Sequence, residues 1–184
     1  MKSNDCTHRI SELVDRLCRL NAADEWNGPL NPSQLAALNY LSKANRFSRA
    51  PSHVADYLAT TRGTASQTLK ALARKQLIGE TRAENDRRSI RYDVTAEGQA
   101  LLTTPPPLSP AIDGLTEDTA TALADALSAL VTSALQKRGG RSFGVCKTCR
   151  HHRNSGPEGF CALLEIPLRP PETEQICHEH TPNG

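Results

Sequence analysis

At 184 residues and 20.0 kDa the chain has room for one domain of ordinary size with a small appendage. A net charge of +2 does not by itself point to nucleic acid, and few aromatics mean a core built mainly from Leu and Ala. No apolar run approaches the ~18–20 residues that span a bilayer, and Asp5, Glu12 and Asp15 interrupt the N-terminal stretch where a signal segment would be apolar. A cytoplasmic protein without a membrane role is expected. In that reducing compartment six cysteines favour metal or redox chemistry over structural disulfides.

Ile10, Leu13, Val14, Leu17 and Leu20 recur at helical spacing, with Ser3 or Asn4 as a cap, and predict a first amphipathic helix. Asn27-Gly28-Pro29 ends it. Asn31 caps a second helix that has Pro32 in its first turn and Leu35, Leu38, Tyr40 and Leu41 along it. Pro51 to Leu58 reads as a short third helix. Thr61 caps a fourth that runs to about Lys75 with Ala65, Leu69 and Leu72 inward. Alternation then replaces helical spacing. Thr81–Ala83 and Ser89–Val94 flank the polar turn Glu84-Asn85-Asp86-Arg87-Arg88 and predict a β-hairpin. Thr95 caps a helix containing Ala100, Leu101 and Leu102. Pro105 to Pro110 is expected to be a stiff, non-helical linker. A long Ala-rich helix follows, from about Thr116 to Lys137, with Leu123, Leu127, Leu130 and Ala134 as its apolar stripe and Gly139-Gly140 at its end.

The fold expected is mainly α with a small β wing: a winged helix-turn-helix, terminal dimerisation helices and an irregular Cys-rich tail. It divides into residues 1–104 (first helix and DNA-binding unit), 105–115 (Pro-rich linker), 116–140 (long dimerisation helix) and 141–184 (tail).

Charge is concentrated in the middle. From Arg46 to Arg91 ten Lys/Arg face four acids, a local +6, so the rest of the chain carries about −4. Such a footprint suits a phosphate-binding module. Here a short helix, a tight turn around Ala59-Thr60 and a second helix precede a basic hairpin. In a helix-turn-helix the start of the second helix meets base edges in the major groove. Arg62 and Gln67 are long enough for guanine and adenine edges. Thr64, Ser66 and the helix N-terminal amides suit phosphates, and Lys70 on the same helix joins the DNA-contacting set. Arg87 and Arg88 at the hairpin tip suit the negative potential of the minor groove.

The stretch from Thr61 through Arg62-Gly63-Thr64-Ala65-Ser66-Gln67 to Leu72, then Lys75-Gln76-Leu77-Ile78, resembles the recognition helix of multiple-antibiotic-resistance (MarR-type) regulators. Asp86-Arg87-Arg88, then Tyr92, Val94-Thr95 and Gly98, resembles that family's wing motif, with Val94 where Leu is usual. The resemblance covers about residues 7–137. It implies a homodimer on a pseudo-palindromic double-stranded operator and a wing ordered by Asp86 and Arg88. The Pro105–Pro110 insertion departs from the pattern and bears on the dimer geometry.

The tail carries Cys146-x2-Cys149-x11-Cys161-x15-Cys177. Four thiolates suit an iron–sulfur cluster or zinc, and the tail holds so little apolar material that a metal staple would help it fold. The single Cys-x-x-Cys pair with two lone cysteines tips the reading towards a cluster; free or redox-paired thiols are the remaining option. His151, His152, His178 and His180 are alternative ligands but are expected chiefly as polar surface. Gly144, Gly156 and Gly159 are expected in tight ligand-loop turns. Cys18 is expected half-buried on the first helix, and Cys6 as a loose thiol. Because the tail follows the long helix directly, a change at its metal would alter the spacing of the two recognition helices, which must match one DNA turn of about 34 Å.

No paired-carboxylate motif, phosphate loop or Ser-His-Asp arrangement stands out, so an enzyme is not expected. The alternative function is a ligand-responsive MarR-type regulator in which the tail is a structural zinc site or protein-interaction module. A small aromatic effector would then sit between the dimer helices and the wing, with Trp26, Tyr40 and Phe47 as candidate lining.

Overall fold

A computed structural model of the chain describes residues 4–25, 28–83, 86–103, 105–155 and 158–183. Helix α1 (Asn4–Glu25) precedes α2 (Pro32–Lys43), α3 (Pro51–Tyr57) and α4 (Arg62–Arg74). The hairpin β1 (Ile78–Ala83) and β2 (Asp86–Val94) follows, then α5 (Ala96–Leu101), α6 (Ser109–Asp113) and α7 (Glu117–Lys137). The tail holds β3 (His152–Ser155), β4 (Glu158–Cys161) and β5 (Ile166–Leu168), with 3-10 turns at Cys146–Thr148 and Pro170–Glu174.

Side chains cap the helices where the sequence places Asn and Thr. Asn31 and Gln34 form a reciprocal capping box on α2, with Gln34 N–H donating to Asn31 Oδ1 at 2.9 Å. Thr61 Oγ1 accepts from Thr64 N–H on α4, and Thr95 Oγ1 from Gly98 N–H on α5, each at 3.1 Å. Thr116 caps α7 in the same way.

Two helix ends use a device with no glycine to announce it. After α3, Ala59 takes a left-handed conformation (φ 49°), so that its N–H reaches Asp56 O and Thr60 N–H reaches Ala55 O. After α4, Gln76 (φ 59°) does the same with Ala73 O, and Leu77 N–H reaches Leu72 O. Both are Schellman endings, usually a glycine's position. Gly139 (φ 63°) ends α7 likewise, as its sequence predicts.

The main core lies among α2, α3, α4 and the hairpin base. Leu38, Tyr40, Leu41, Val54, Leu69 and Leu72 are its largest fully buried apolar members, and Ala65 is also buried. Tyr40 O–H donates to Ser48 O at 2.7 Å inside it. The hairpin is antiparallel with Ile78 opposite Val94 and Arg82 opposite Ile90, and its register shifts at Arg82/Ala83. Both strands are longer than expected, and the backbone of Asp86, Arg87 and Arg88 belongs to β2 rather than to the turn. Tyr92 N–H donates to Arg49 O at 3.1 Å. The Arg49 guanidinium reaches Ala44 O at 2.9 Å and Asp93 at 2.5 Å, tying the α2–α3 connection to the hairpin.

The linker is less uniform than its prolines suggest. Ser109 and Pro110 start the short helix α6, because proline is tolerated in a first helical turn where its missing N–H has no partner to lose. The apolar stripes of α1 (Ile10, Leu13, Val14, Leu17, Leu20) and α7 (Leu123, Leu127, Leu130) face outward within the chain. Cys18 is therefore exposed rather than half-buried, and Cys6 is exposed as expected.

The tail is not irregular throughout. β3, β4 and β5 form an antiparallel sheet in that order. Its small core of Cys146, Cys161 and Leu168 borrows Phe47 from the α2–α3 connection. The tail also folds back onto that connection, which sequence alone did not suggest. Ala44 and Ile176 form a parallel bridge, with Asn45 N–H to Ile176 O at 2.9 Å and Ile176 N–H to Lys43 O at 2.8 Å. Ser48 Oγ accepts His178 N–H at 2.8 Å, and Arg46 forms an ion pair with the buried Glu172. Phe143 packs edge-on against Tyr40 and Tyr57.

Candidate DNA interface and thiol site

Helix α4 divides cleanly. Ala65, Leu69 and Leu72 turn into the core, while Arg62, Gly63, Thr64, Gln67, Lys70 and Arg74 are exposed and Ser66 is half-buried. Gly63, Gln67, Lys70 and Arg74 follow one another at helical spacing along a single outward face. No acid lies in the first turn, so the free N–H groups there keep their positive end of the helix dipole. Thr64 is partly committed: its hydroxyl is 2.8 Å from Thr61 Oγ1 in the cap. Of the hairpin residues expected to touch DNA or order the wing, the side chains of Asp86, Arg87 and Arg88 lie outside the described residues, as does the Glu84-Asn85 tip.

The four tail cysteines, with 15 residues between the most widely spaced neighbours, are all buried, and all six cysteines of the chain are free. The Cys-x-x-Cys turn is closed by Cys149 N–H to Cys146 O at 3.0 Å. Cys161 ends β4 between His152 and Ile166. Cys177 is held by its N–H to Gly144 O at 2.9 Å. Burial pushes the Cys146 thiol up to about 12, and nearness to Cys177, Cys161 and Cys149 pushes in the same direction. Cys177 is raised too, chiefly by burial, although the Asn45 amide works against it. Cys146 and Cys177 thus each lie near the other tail cysteines. Among the described residues no three His, Cys, Asp or Glu side chains already form a ready-made ligand set for one ion.

The glycines serve close approach rather than turns. A Cβ on Gly144 would lie 2.3 Å from the His180 ring, and one on Gly159 2.7 Å from His152 Nε2. Gly156 lies outside the described residues. The tail histidines are not chiefly surface. His180 is clamped by Ser142 Oγ at Nδ1 (2.7 Å) and Thr148 Oγ1 at Nε2 (3.0 Å), which occupies both ring nitrogens. His178 is buried, stacked on His53 with 3.6 Å between centroids, its two nitrogens facing Asp56 (3.5 Å) and Glu179 (3.3 Å). Burial, and then the neighbouring His178, lowers His53 to about 4. Asn45, Ser48, His53 and Asp56 thus join the tail from more than a hundred residues away in sequence, with no local signal to mark them.

The aromatic lining expected for an effector pocket is otherwise employed. Tyr40 is core, Phe47 packs on the tail, and Trp26 lies outside the described residues. An open cleft of about 490 Å³ lies instead between the α1–α2 loop, α2, α5 and the Pro-rich linker, lined by Leu30, Leu35, Asn39, Lys43, Leu101 and Pro105–Pro107 among others.

Residues 30–98 match the family described as the winged helix DNA-binding domain. About seven tenths of the chain resembles solved structures of regulators. FabT of Streptococcus pneumoniae, solved in complex with DNA, is 22% identical, with 71% of this chain and 98% of FabT covered and a TM-score of 0.56. The transcriptional regulator BldR of Sulfolobus solfataricus is 15% identical over 72% of this chain and 99% of its own, at 0.58. A MarR transcriptional regulator of Methanosarcina mazei Go1 is 18% identical over 73% and 99%, at 0.57. The fold is the winged helix of MarR-type regulators. In winged-helix terms α3 and α4 are the helix-turn-helix and β1–β2 the wing. More than a quarter of the chain has no counterpart in these structures. No curated protein sequence matches the chain. Among the described residues no helix is long and apolar enough to cross a membrane.

Proposed function

We propose that the protein is a dimeric, cytoplasmic transcriptional regulator that reads a pseudo-palindromic double-stranded operator with α4. The observation that carries this reading is the split of α4: a capped N-terminus free of acids, a fully buried inner face, and Arg62, Gln67 and Lys70 exposed. Arg62 and Gln67 read base edges. Thr64, Ser66 and Lys70 hold phosphates, and Arg87 and Arg88 carry the wing's charge to the minor groove, with Asp86 ordering it. The outward apolar stripes of α1 and α7 support a second copy of the chain as partner.

The test is fluorescence anisotropy on a duplex selected from a random pool, at several salt concentrations. Arg62→Ala or Gln67→Ala is expected to cost about 1–3 kcal/mol and relax preference at one base position, and Lys70→Ala to weaken all sequences alike and reduce the salt slope by about one. Wild-type levels of binding and preference in all three variants would refute the assignment of α4.

The tail adds a metal centre on Cys146, Cys149, Cys161 and Cys177. Four buried, unpaired cysteines support it, with Cys177, Cys161 and Cys149 each near enough to raise the Cys146 thiol. Zinc would supply a structural staple, and an iron–sulfur cluster would add a redox response. Absorption near ~400 nm with iron and sulfide, against a colourless protein with one zinc, tells the two apart. Effector control is the second reading, favoured by the cleft beside α5 and the linker: its apolar walls with Lys43 at the rim suit a small hydrophobic acid.

A further inference from the structure

We propose that the tail positions the helix-turn-helix of its own chain: docked on the α2–α3 connection, it holds α3 and the wing in the pose that reads DNA, and Ser48 is the positioning residue at that contact. The inference rests on the reading of α4 as the DNA-contacting helix and does not depend on what the cysteines hold.

Helix α3 is weakly held by its own sequence. It spans seven residues, and Ala50 at its N-cap makes no side-chain cap bond. A helix that short is marginal by itself, so its place is set by what packs on it. Val54 and Ala55 meet the main core. His53 and Tyr57, one helical turn apart on another face, meet the tail. The His178 ring stacks on His53 with 3.6 Å between centroids, and Phe143 lies edge-on to Tyr57 at 5.3 Å.

The connection leading into α3 is held by the wing and by the tail. Towards the wing, Arg49 O accepts Tyr92 N–H at 3.1 Å and the Arg49 guanidinium reaches Asp93 at 2.5 Å. Towards the tail, Ile176 exchanges backbone bonds with Lys43 and Asn45, and Arg46 pairs with the buried Glu172. Ser48 joins the two. It is 1% exposed, and each of its polar groups is engaged. Its N–H donates to Asn45 O at 3.0 Å, its carbonyl accepts Tyr40 O–H at 2.7 Å, and its Oγ–H donates to Asn45 Oδ1 at 2.7 Å. Those three bonds stay within the DNA-binding unit. The fourth, from His178 N–H to Ser48 Oγ at 2.8 Å, reaches the tail. A buried hydroxyl so fully committed cannot follow a shifted tail without breaking a bond. Undocking therefore strands His178 N–H, bares the outer face of α3 and frees one side of the connection. The reading pose is then one of several, and operator affinity falls with the fraction of molecules that hold it. Contiguity of contacts is only a route; the coupling itself is what must be measured.

The experiment uses the reduced full-length chain, with metal content held equal across samples, and a duplex selected from a random pool. Two variants undock the tail by different chemistry. Glu172→Gln removes the charge facing Arg46 and leaves the DNA-binding unit's sequence untouched. Ser48→Ala removes the acceptor of His178 N–H. In both, amide exchange at Ile176 and His178 should quicken and duplex affinity should fall by about 5-fold or more. The slope of affinity against salt should stay the same, because no phosphate contact is lost. A tail that only stabilises the fold would lower urea stability and leave the affinity of the folded protein unchanged. In wild type, coupling is reciprocal: adding the duplex should slow exchange at Ile176 and His178 by a similar factor, a readout that needs no variant to fold. A wild-type chain with no preference for any duplex would remove the reading of α4 and this inference together. Full duplex affinity in variants whose tail amides exchange fast, tail exchange unmoved by both substitutions, or wild-type tail exchange indifferent to the duplex would overturn the inference and leave the DNA-reading helix standing.

Discussion

Replacing Gly98 with Ala gives a sharp test of how the wing is held. Gly98 is a buried residue in the first turn of α5, where propensity alone favours alanine by about 1 kcal/mol. Packing says the opposite. A Cβ there would lie 2.2 Å from Leu77 O and 2.9 Å from Val94 Cγ1. The nearer atom is backbone at the α4–β1 junction and cannot swing aside. To restore ordinary contact α5 must retreat by roughly 1 Å. That strains Thr95 N–H to Leu77 O (3.1 Å) and Thr95 Oγ1 to Gln76 O (2.8 Å). Overpacking costs about 1–3 kcal/mol and each weakened hydrogen bond about 1. Less the propensity gain, Gly98→Ala should lose about 2–4 kcal/mol in urea unfolding followed by circular dichroism. A variant as stable as wild type would refute the close approach of α5 to the strand junction.

Four further outcomes follow from particular contacts. Ala59→Gly relieves the left-handed turn after α3 and should raise stability by about 0.5–1 kcal/mol; a lower melting temperature would contradict the Schellman geometry. Tyr40→Phe leaves Ser48 O without its buried donor and should cost about 1–3 kcal/mol in the same urea assay, and no loss would remove that bond from the core. Arg46→Ala strands the buried Glu172 carboxylate and should speed amide exchange at Ile176 and His178, which dock the tail; unchanged exchange would show that the tail docks without the ion pair. Leu127→Glu on the outward face of α7 should take the sedimenting mass from twice 20.0 kDa to 20.0 kDa and weaken operator binding, while a dimer that survives would move the interface elsewhere.

The caps at Asn31, Thr61 and Thr95, the apolar spacing of α2 and α4 and the outward set Arg62, Gln67 and Lys70 were legible in the sequence because each depends on residues within about one helical turn. The Schellman endings at Ala59 and Gln76 were not, since the residues that usually signal them are glycine or asparagine. His180 was expected chiefly as polar surface, but the hydroxyls of Ser142 and Thr148 meet both its ring nitrogens. Cys18 looked half-buried because its helix is amphipathic, but periodicity says which face is apolar and not what covers it.

The cysteine spacing suggested one four-sulfur centre, and chain order suggested that the tail would act through α7. Where the tail goes was decided by tertiary structure alone. The bridge between Ala44 and Ile176, the Asn45 N–H to Ile176 O bond and the Ser48–His178 bond join segments about 130 residues apart. Backbone pairing of that kind leaves no periodic trace, because any residue's N–H and C=O can make it. Local hydrogen bonds and side-chain spacing made the winged helix readable from its residues, whereas the attachment of the thiol site to the helix-turn-helix depends on which distant backbone groups meet.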